Sequence, residues 1–327
     1  MKVVGLCFLI YDKINHEELW YNWLRNVDKK KYKIYIHYKN DIKLKFFEKY
    51  KLDNCIETKY ADISLVKAQN LLIEASVNDN CTHTIFLSNS CIPLKPFDYI
   101  FEYLNVNFSY FNKTPDKQCF PRCNQTLKYI NKNYIKKASQ WSILNYKHAK
   151  LLITEKDYIK WFNYRETVPD EHCYITKLFL SKLDLEIITT PNLASGSTTF
   201  TNWCDMDYPY QNHSGLKNYN VITTEEIDYL IKQPCLFGRK FNPDCKVIKI
   251  NIPSHLNEER PGARKSPRSN ARRQATTRKA ARRKAKNEIR TRRRMMMVSE
   301  AERNLRPPRV FVGQTYQLFQ YLTTRIC

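Results

Sequence analysis

The feature of this sequence that most restricts its fold is a short apolar segment, Thr84–Leu87, which runs into the small polar residues Ser88-Asn89-Ser90. Before it, Ser64–Ala75 carries apolar side chains three and four residues apart, which predicts a helix with Ser64 as its N-cap. A helix that leads into a buried strand favours a βαβ unit. Such units place functional residues at the carboxyl ends of parallel strands.

Similar alternation continues through the first 250 residues. The patterns predict strands at Val3–Ile10, Tyr32–His37, Cys55–Thr58, Thr84–Leu87, Ser139–Leu144 and Asp184–Thr190. They predict helices around Leu19–Leu24 and at Ser64–Ala75, Phe97–Leu104, Tyr146–Ile153 and His172–Leu180. Residues 105–138 are polar and irregular, so we expect a loop over the site there. The chain is therefore expected to be an α/β protein with a mostly parallel central sheet, and its body should finish near Val247–Ile252.

The positive charge is concentrated at the carboxyl end of the chain. Of the formal net charge of +23, residues 252–327 contribute about +15, from 20 Lys and Arg against 5 Asp and Glu. Arg occurs four times before residue 252 and sixteen times after it. We therefore predict two regions: a folded domain over 1–251 and a disordered, Arg/Ala-rich basic tail over 252–327. The break in composition fits either an appended extension or a change of reading frame.

Membrane and redox signals are weak. The apolar start of the chain has only about nine apolar residues before Asp12, and no segment reaches the roughly 18 that a membrane helix needs. The eleven cysteines include no CxxC pair and are odd in number, which favours a reducing compartment. We expect a protein that is cytoplasmic or peripheral to a membrane, without a transmembrane segment.

Six blocks occur in the order seen in one known family. They are Ser64-Leu-Val-Lys-Ala-Gln-Asn-Leu-Leu72, Phe86-Leu-Ser-Asn-Ser-Cys-Ile-Pro-Leu94, Ser139-Gln-Trp141, Val168-Pro-Asp-Glu-His172, Thr198-Thr-Phe-Thr-Asn-Trp203 and Cys235-Leu-Phe-Gly-Arg-Lys-Phe241. Over roughly residues 3–245 the chain resembles the core-2/I-branching β-1,6-N-acetylglucosaminyltransferases, above all their plant and giant-virus members. The resemblance implies a GT-A-like nucleotide-sugar transferase fold. It also implies inverting transfer from a UDP-sugar, commonly UDP-N-acetylglucosamine, to a hydroxyl of a glycan or glycoprotein.

The same resemblance implies that no metal or other cofactor is needed. Many nucleotide-sugar transferases hold a metal with an Asp-x-Asp at the end of the strand where this chain has Ser88-Asn89-Ser90. Hydroxyls and an amide are poor ligands for a hard divalent cation, which prefers carboxylate oxygens. A literal Asp-x-Asp, Asp205-Met-Asp207, lies far along the chain and is interpreted as a turn.

The resemblance also assigns roles to individual residues. Glu171 matches the base that takes the proton of the attacking hydroxyl. Lys240 and Lys217 match positions where the family places basic groups on the diphosphate, although some members have Arg at the position of Lys217. Arg239, next to Lys240, is a further donor-site candidate. Trp203 matches a tryptophan on which the acceptor sugar packs.

Tyr11 and His37, which end strands one and two, are candidates for the uridine side of the donor site. Each assignment has a structural alternative. Glu171 could simply be an acidic residue in the first turn of a helix, with Asp170 as a cap. Arg239 could be a surface charge, and Trp203 a core residue. Tyr11 and His37 could be structural strand-end residues.

Three other functions stay open on the sequence. A relative that uses UDP-xylose would carry the same motifs. A nucleic-acid-binding or nuclear protein would use the basic tail to neutralise phosphates, or to bind another anionic surface, but an Arg/Ala run without aromatic residues offers no base readout. An inactive, lectin-like binder is the third alternative, and the presence of Glu171 and Lys240 argues against it.

Overall fold

The computed structural model describes residues 1–41, 43–116, 119, 121–164, 168–191, 198–204, 208–211 and 213–246. The basic tail, the expected end of the body at Val247–Ile252 and the Asp205-Met-Asp207 segment lie outside these residues. The strands are β1 (Val4–Ile10), β2 (Tyr32–Tyr38), β3 (His83–Ser88), β4 (Ile92–Pro93), β5 (Ser109–Lys113), β6 (Ile143–Asn145), β7 (Ile187–Pro191), β8 (Thr199–Thr201), β9 (Tyr219–Val221), β10 (Phe237–Arg239) and β11 (Phe241–Lys246). The α-helices are α1 (Glu17–Leu24), α2 (Ile63–Asn78), α3 (Phe97–Tyr103), α4 (Tyr146–Thr154), α5 (Pro169–Leu180) and α6 (Thr224–Lys232).

Six strands form a central sheet in the order β2-β1-β3-β6-β5-β7. Strand β1 pairs in parallel with both β2 and β3, and β5 pairs in parallel with β7. Only β6 runs the other way, antiparallel to β3 and β5. The expected α/β class with a mostly parallel central sheet is therefore confirmed.

Helices cover both faces of this sheet, because side chains of a strand point to alternate faces. Cys7 and Leu9 of β1 belong to a buried cluster with apolar residues of α2, α4 and α5. Leu6 and Phe8 of the same strand pack on the other face, in a cluster with Trp20 of α1 and with α3. All seven residues of β1 are buried, as expected for a strand covered on both sides. No helix in the described ranges is long and apolar enough to cross a bilayer.

A smaller sheet in the order β4-β10-β8 carries the last block of the sequence. Strand β10 is antiparallel to β4 and parallel to β8, and β11 pairs separately with β9. Asn112 of the central strand β5 connects the two sheets. Its side-chain amide donates to the Thr199 carbonyl over 3.0 Å, and its side-chain oxygen accepts from the Thr198 hydroxyl.

Four local predictions were wrong. Cys55–Thr58 forms no strand. The Ile56 N–H donates to the ring of His37 and not to a neighbouring strand. The supposed loop 105–138 contains the central strand β5. Asp62, not Ser64, caps α2, accepting the Ser64 N–H over 2.8 Å. Of the strand predicted over 139–144, only residues 143 and 144 lie in the observed strand β6, which runs from Ile143 to Asn145.

Candidate active site

The turn after β3 lies at the carboxyl edge of the central sheet. The hydroxyls of Ser88 and Ser90 are 3.1 Å apart and both side chains are buried. The Asn89 carbonyl accepts the Asn15 N–H over 2.8 Å, and the Ser90 carbonyl accepts the Phe241 N–H over 3.0 Å. This turn therefore connects the end of β3 both to the segment after β1 and to the start of β11, next to Lys240.

Glu171 lies in the first turn of α5, which begins at Pro169 with no side-chain cap. Its carboxylate oxygen Oε2 is 3.1 Å from the ammonium of Lys137, and its side chain is 31% exposed. Its carbonyl accepts the Ala138 N–H over 2.9 Å. The residue is thus part of a helix start, as the structural alternative held, and it also presents a partly exposed carboxylate.

The two neighbours of Glu171 are titratable groups, of which Asp170 is partly buried and His172 is buried. Asp170 is not the helix cap, and its Oδ1 is buried without a hydrogen-bond partner among the described residues. Burial, and then the charge of Glu171, raises the pKa of Asp170 to about 7. The ring of His172 is 3.2 Å from the Val168 carbonyl through Nδ1, and burial lowers its pKa.

Arg239, at the end of β10, is half-buried and lies over the indole of Trp141, with the guanidinium carbon 4.7 Å from the ring centroid. Its charge interacts with Cys91 and Glu171, although burial lowers its pKa. Its half-buried position over an indole ring argues against the alternative of a surface charge. Its Nε has no hydrogen-bond partner within the described part of the chain. The Arg239 guanidinium is thus held where its charge interacts with that of the Glu171 carboxylate.

Lys240 and Lys217 lie on connected segments. The Lys240 carbonyl accepts the Tyr219 N–H over 2.7 Å. The ammonium of Lys217 lies 6.0 Å from the centroid of the Tyr219 ring. Burial, and then the charge of Arg239, lowers the pKa of Lys240. The structure therefore brings the two predicted lysines to neighbouring backbone positions, beside Arg239.

Trp203 is 40% exposed, so the alternative of a core tryptophan is wrong. Its backbone forms an isolated antiparallel bridge with Leu216, and its carbonyl accepts from the Gln211 side chain over 2.6 Å. The carbonyl of Asn202, the preceding residue, accepts the Lys217 N–H over 2.9 Å. An exposed indole thus lies on the segment next to Lys217.

The two strand-end candidates differ from each other. Tyr11 is 53% exposed at the carboxyl edge of β1, with the Lys39 ammonium 5.2 Å from its ring centroid. His37 is fully buried within β2, and its Nε2 accepts the Ile56 N–H over 3.0 Å. Burial lowers the pKa of His37 to about 4, which keeps the ring neutral. This geometry favours the structural alternative for His37.

Two site residues were not predicted as such. Lys137 lies two residues before the start of the Ser139-Gln-Trp141 block, and its approach to Glu171 depends on pairing between segments 34 residues apart. Trp141 was noted as part of a block, but its contact with Arg239 gave no signal in the sequence. Within the described residues, no group of three His, Cys, Asp or Glu side chains is placed to hold a metal ion.

Together these observations define an α/β protein with a polar site at the carboxyl edge of a mostly parallel sheet, where the Glu171 carboxylate pairs with Lys137 and interacts electrostatically with Arg239. A model of the Core-2/I-Branching enzyme family matches residues 4–231. The chain belongs to this family.

Two known proteins are similar to parts of the chain. The rice protein Glycosyltransferase BC10 (Oryza sativa subsp. japonica) is 22% identical over 171 residues, which are 49% of this chain and 42% of that protein. The chain thus spans less than half the length of that curated relative. The apo structure of the bifunctional glycosyltransferase WbbM aligns with 74% of this chain and 47% of its own, at 12% identity and a TM-score of 0.40.

Proposed function

We propose that this chain is an inverting glycosyltransferase that moves N-acetylglucosamine from UDP-N-acetylglucosamine to a glycan hydroxyl, with β-1,6-type branching and without a metal ion. The observation that carries the proposal is the partly exposed Glu171 carboxylate, which lies 3.1 Å from the Lys137 ammonium and whose charge interacts with that of Arg239, next to Lys240. Membership in the branching-enzyme family supports the same chemistry.

Inverting transfer needs a base on one side of the sugar carbon and stabilised negative charge on the other. Glu171 would accept the proton of the acceptor hydroxyl as its oxygen forms a bond to the anomeric carbon. The bond from that carbon to UDP breaks, and its electron pair goes to the diphosphate. Lys240 and Lys217 would then stabilise the developing charge. The exposed face of Trp203 suits the apolar side of the acceptor sugar ring.

Substitution of the two central residues tests this division of roles. In Glu171→Gln, kcat should fall by roughly 10²–10⁴-fold with UDP affinity nearly unchanged, since the base is lost but its size is kept. In Lys240→Ala, UDP binding and transfer should weaken together. Glu225→Gln, an exposed first-turn residue of α6, and Lys246→Ala, at the exposed end of β11, are matched controls.

The measurements are transfer and hydrolysis rates with a panel of UDP-sugars, and UDP binding by calorimetry. The panel should include UDP-xylose, because the donor sugar is part of the proposal. Near-wild-type turnover by Glu171→Gln would contradict the assigned base. Loss of UDP binding in that variant, with Lys240→Ala still binding, would reverse the two roles.

Metal independence has its own test. Turnover should persist in excess EDTA, because Ser88 and Ser90 hydrogen-bond to each other and offer a cation no carboxylate. The measurement compares the rate after chelation with the rate after manganese is added back. A rate that collapses with EDTA and returns with manganese would show that a metal takes part.

A further inference from the structure

The ion pair between Lys137 and Glu171 is partly shielded from water. The Lys137 ammonium is 3.1 Å from Oε2 of Glu171, and the two side chains are only 28% and 31% exposed. An ion pair at this degree of burial is screened less than one on an open surface. The interaction therefore fixes a carboxylate that would otherwise rotate freely at the edge of the site.

The backbone already holds both partners in place. The Ala138 N–H donates to the Glu171 carbonyl over 2.9 Å, and the Thr114 N–H donates to the Lys137 carbonyl over 2.9 Å. Lys113 of β5 and Ala138 form an antiparallel bridge. Segment 137–138 is thus held between the central sheet and the start of α5. The ion pair between Lys137 and Glu171 therefore forms with little further loss of conformational entropy.

Several charges meet around Glu171. Asp170 precedes it in the same helix turn, and the charges of the two carboxyls oppose each other. His172, which follows Glu171 in the chain, is buried, and Arg239, whose guanidinium lies over Trp141, interacts electrostatically with Glu171. Lys137 supplies the direct contact that offsets the adjacent acid and the partial burial.

We propose that Lys137 is a positioning residue: its ammonium holds Oε2 of Glu171, which directs Oε1 toward the acceptor hydroxyl whose proton it takes. This inference rests on the proposed function. The preceding residue, Lys136, offers a matched comparison, because its ammonium lies 2.9 Å from Oδ2 of Asp116 and not on Glu171. The two consecutive lysines thus have different partners, and their substitution should have different effects on kcat.

The test uses the full chain with substitutions Lys137→Met, Lys137→Arg and Lys136→Met. Lys137→Met should lower kcat by roughly tenfold, with UDP affinity and the donor KM within about twofold of wild type. Lys137→Arg should recover most of the rate, since it restores the cation. Lys136→Met should stay within about twofold of wild type. Thermal unfolding of each variant shows whether it has folded.

A double-mutant cycle separates positioning from a general structural effect. In the Glu171→Gln background, Lys137→Met should cause no further loss of kcat, because the carboxylate on which it acts is gone. A full additional tenfold loss there would overturn the inference, and so would a wild-type rate in folded Lys137→Met. In both cases the proposed function still stands, provided that the wild-type protein is active. A wild type inactive with every UDP-sugar would instead reject that function, and this role with it.

Discussion

Asp170, which lies next to Glu171, lowers the free energy of unfolding of the protein at neutral pH. Its Oδ1 is buried and has no hydrogen-bond partner among the described residues, and Glu171 adds a second negative charge next to it. The folded pKa of about 7 is far above the ordinary value of 3.8. As the pH rises from about 4 to 7, the folded state keeps a proton that the unfolded state has lost. The free energy of unfolding therefore falls over this range.

Asp170→Asn should remove this pH-dependent loss. The gain in Tm over wild type should be larger at pH 8 than at pH 5 by roughly 3–8 °C, since the neutral amide has no charge to bury. Thermal unfolding by circular dichroism at both pH values measures it. Asp157→Asn, whose side chain is 92% exposed, is the control. A Tm difference that does not change with pH would show that Asp170 is ionised in the folded protein at both.

At this scale the sequence indicated candidate site residues but not the contacts that they make. Glu171, Lys240 and Trp203 were identified because they stand in ordered blocks, and the structure exposes or half-exposes all three. Lys137 could not be paired with Glu171, because the contact depends on a tertiary bridge between Lys113 and Ala138. Burial of His37 likewise depends on the segment that folds over it.

The element that joins the two sheets is β5. Its residue Asn112 is 3% exposed and is hydrogen-bonded to Thr198 and Thr199, just before and at the start of β8. Through β8, this contact fixes the position of β10 and hence of Arg239 relative to Glu171. The amide side chain of Asn112 thus helps to align the two parts of the site, together with the packing of Phe237 of β10 in the core of the central sheet.

Asn112→Ala should lower stability, because the Thr199 carbonyl and the Thr198 hydroxyl lose a buried partner. The expected cost is about 1–3 kcal/mol, seen as a lower urea midpoint with an unchanged slope. UDP binding should weaken as well. The exposed Asn107, just before β5, gives the control Asn107→Ala. An unchanged urea midpoint in Asn112→Ala would mean that other contacts hold β8 to the central sheet.

Strand β5 was not predicted because its polar residues, one of which connects the two sheets, interrupt its apolar pattern. Tyr110 and Phe111 are buried, but their neighbours Ser109 and Asn112 are polar, so the segment shows no apolar run. The Ser109 hydroxyl lies 2.7 Å from Nδ1 of His148. Polar side chains satisfied inside a sheet cannot be recognised from periodicity. The apolar strands β1 and β3, by contrast, were predicted within one residue at each end.

At the scale of the whole molecule, we expect the basic tail over residues 252–327 to be dispensable for catalysis. A chain ending at Ile252 should keep the UDP-sugar turnover of the full chain, because the family model ends at residue 231 and the tail has no apolar pattern. Only the full chain should bind DNA, with an affinity that falls steeply with salt. Rates and DNA titrations at two salt concentrations measure both. An inactive or insoluble truncated chain would show that residues beyond 252 are needed for folding.

The residues of the candidate site lie in or against two different sheets. In the proposed mechanism, the carboxylate that accepts the proton, Glu171, belongs to α5, against the central sheet, while Arg239 ends β10 of the small sheet and Lys240 follows it. Under that proposal, substitutions in the small sheet would alter binding of the diphosphate while the position of Glu171 is kept. Donor binding and proton transfer would then be free to change separately during evolution.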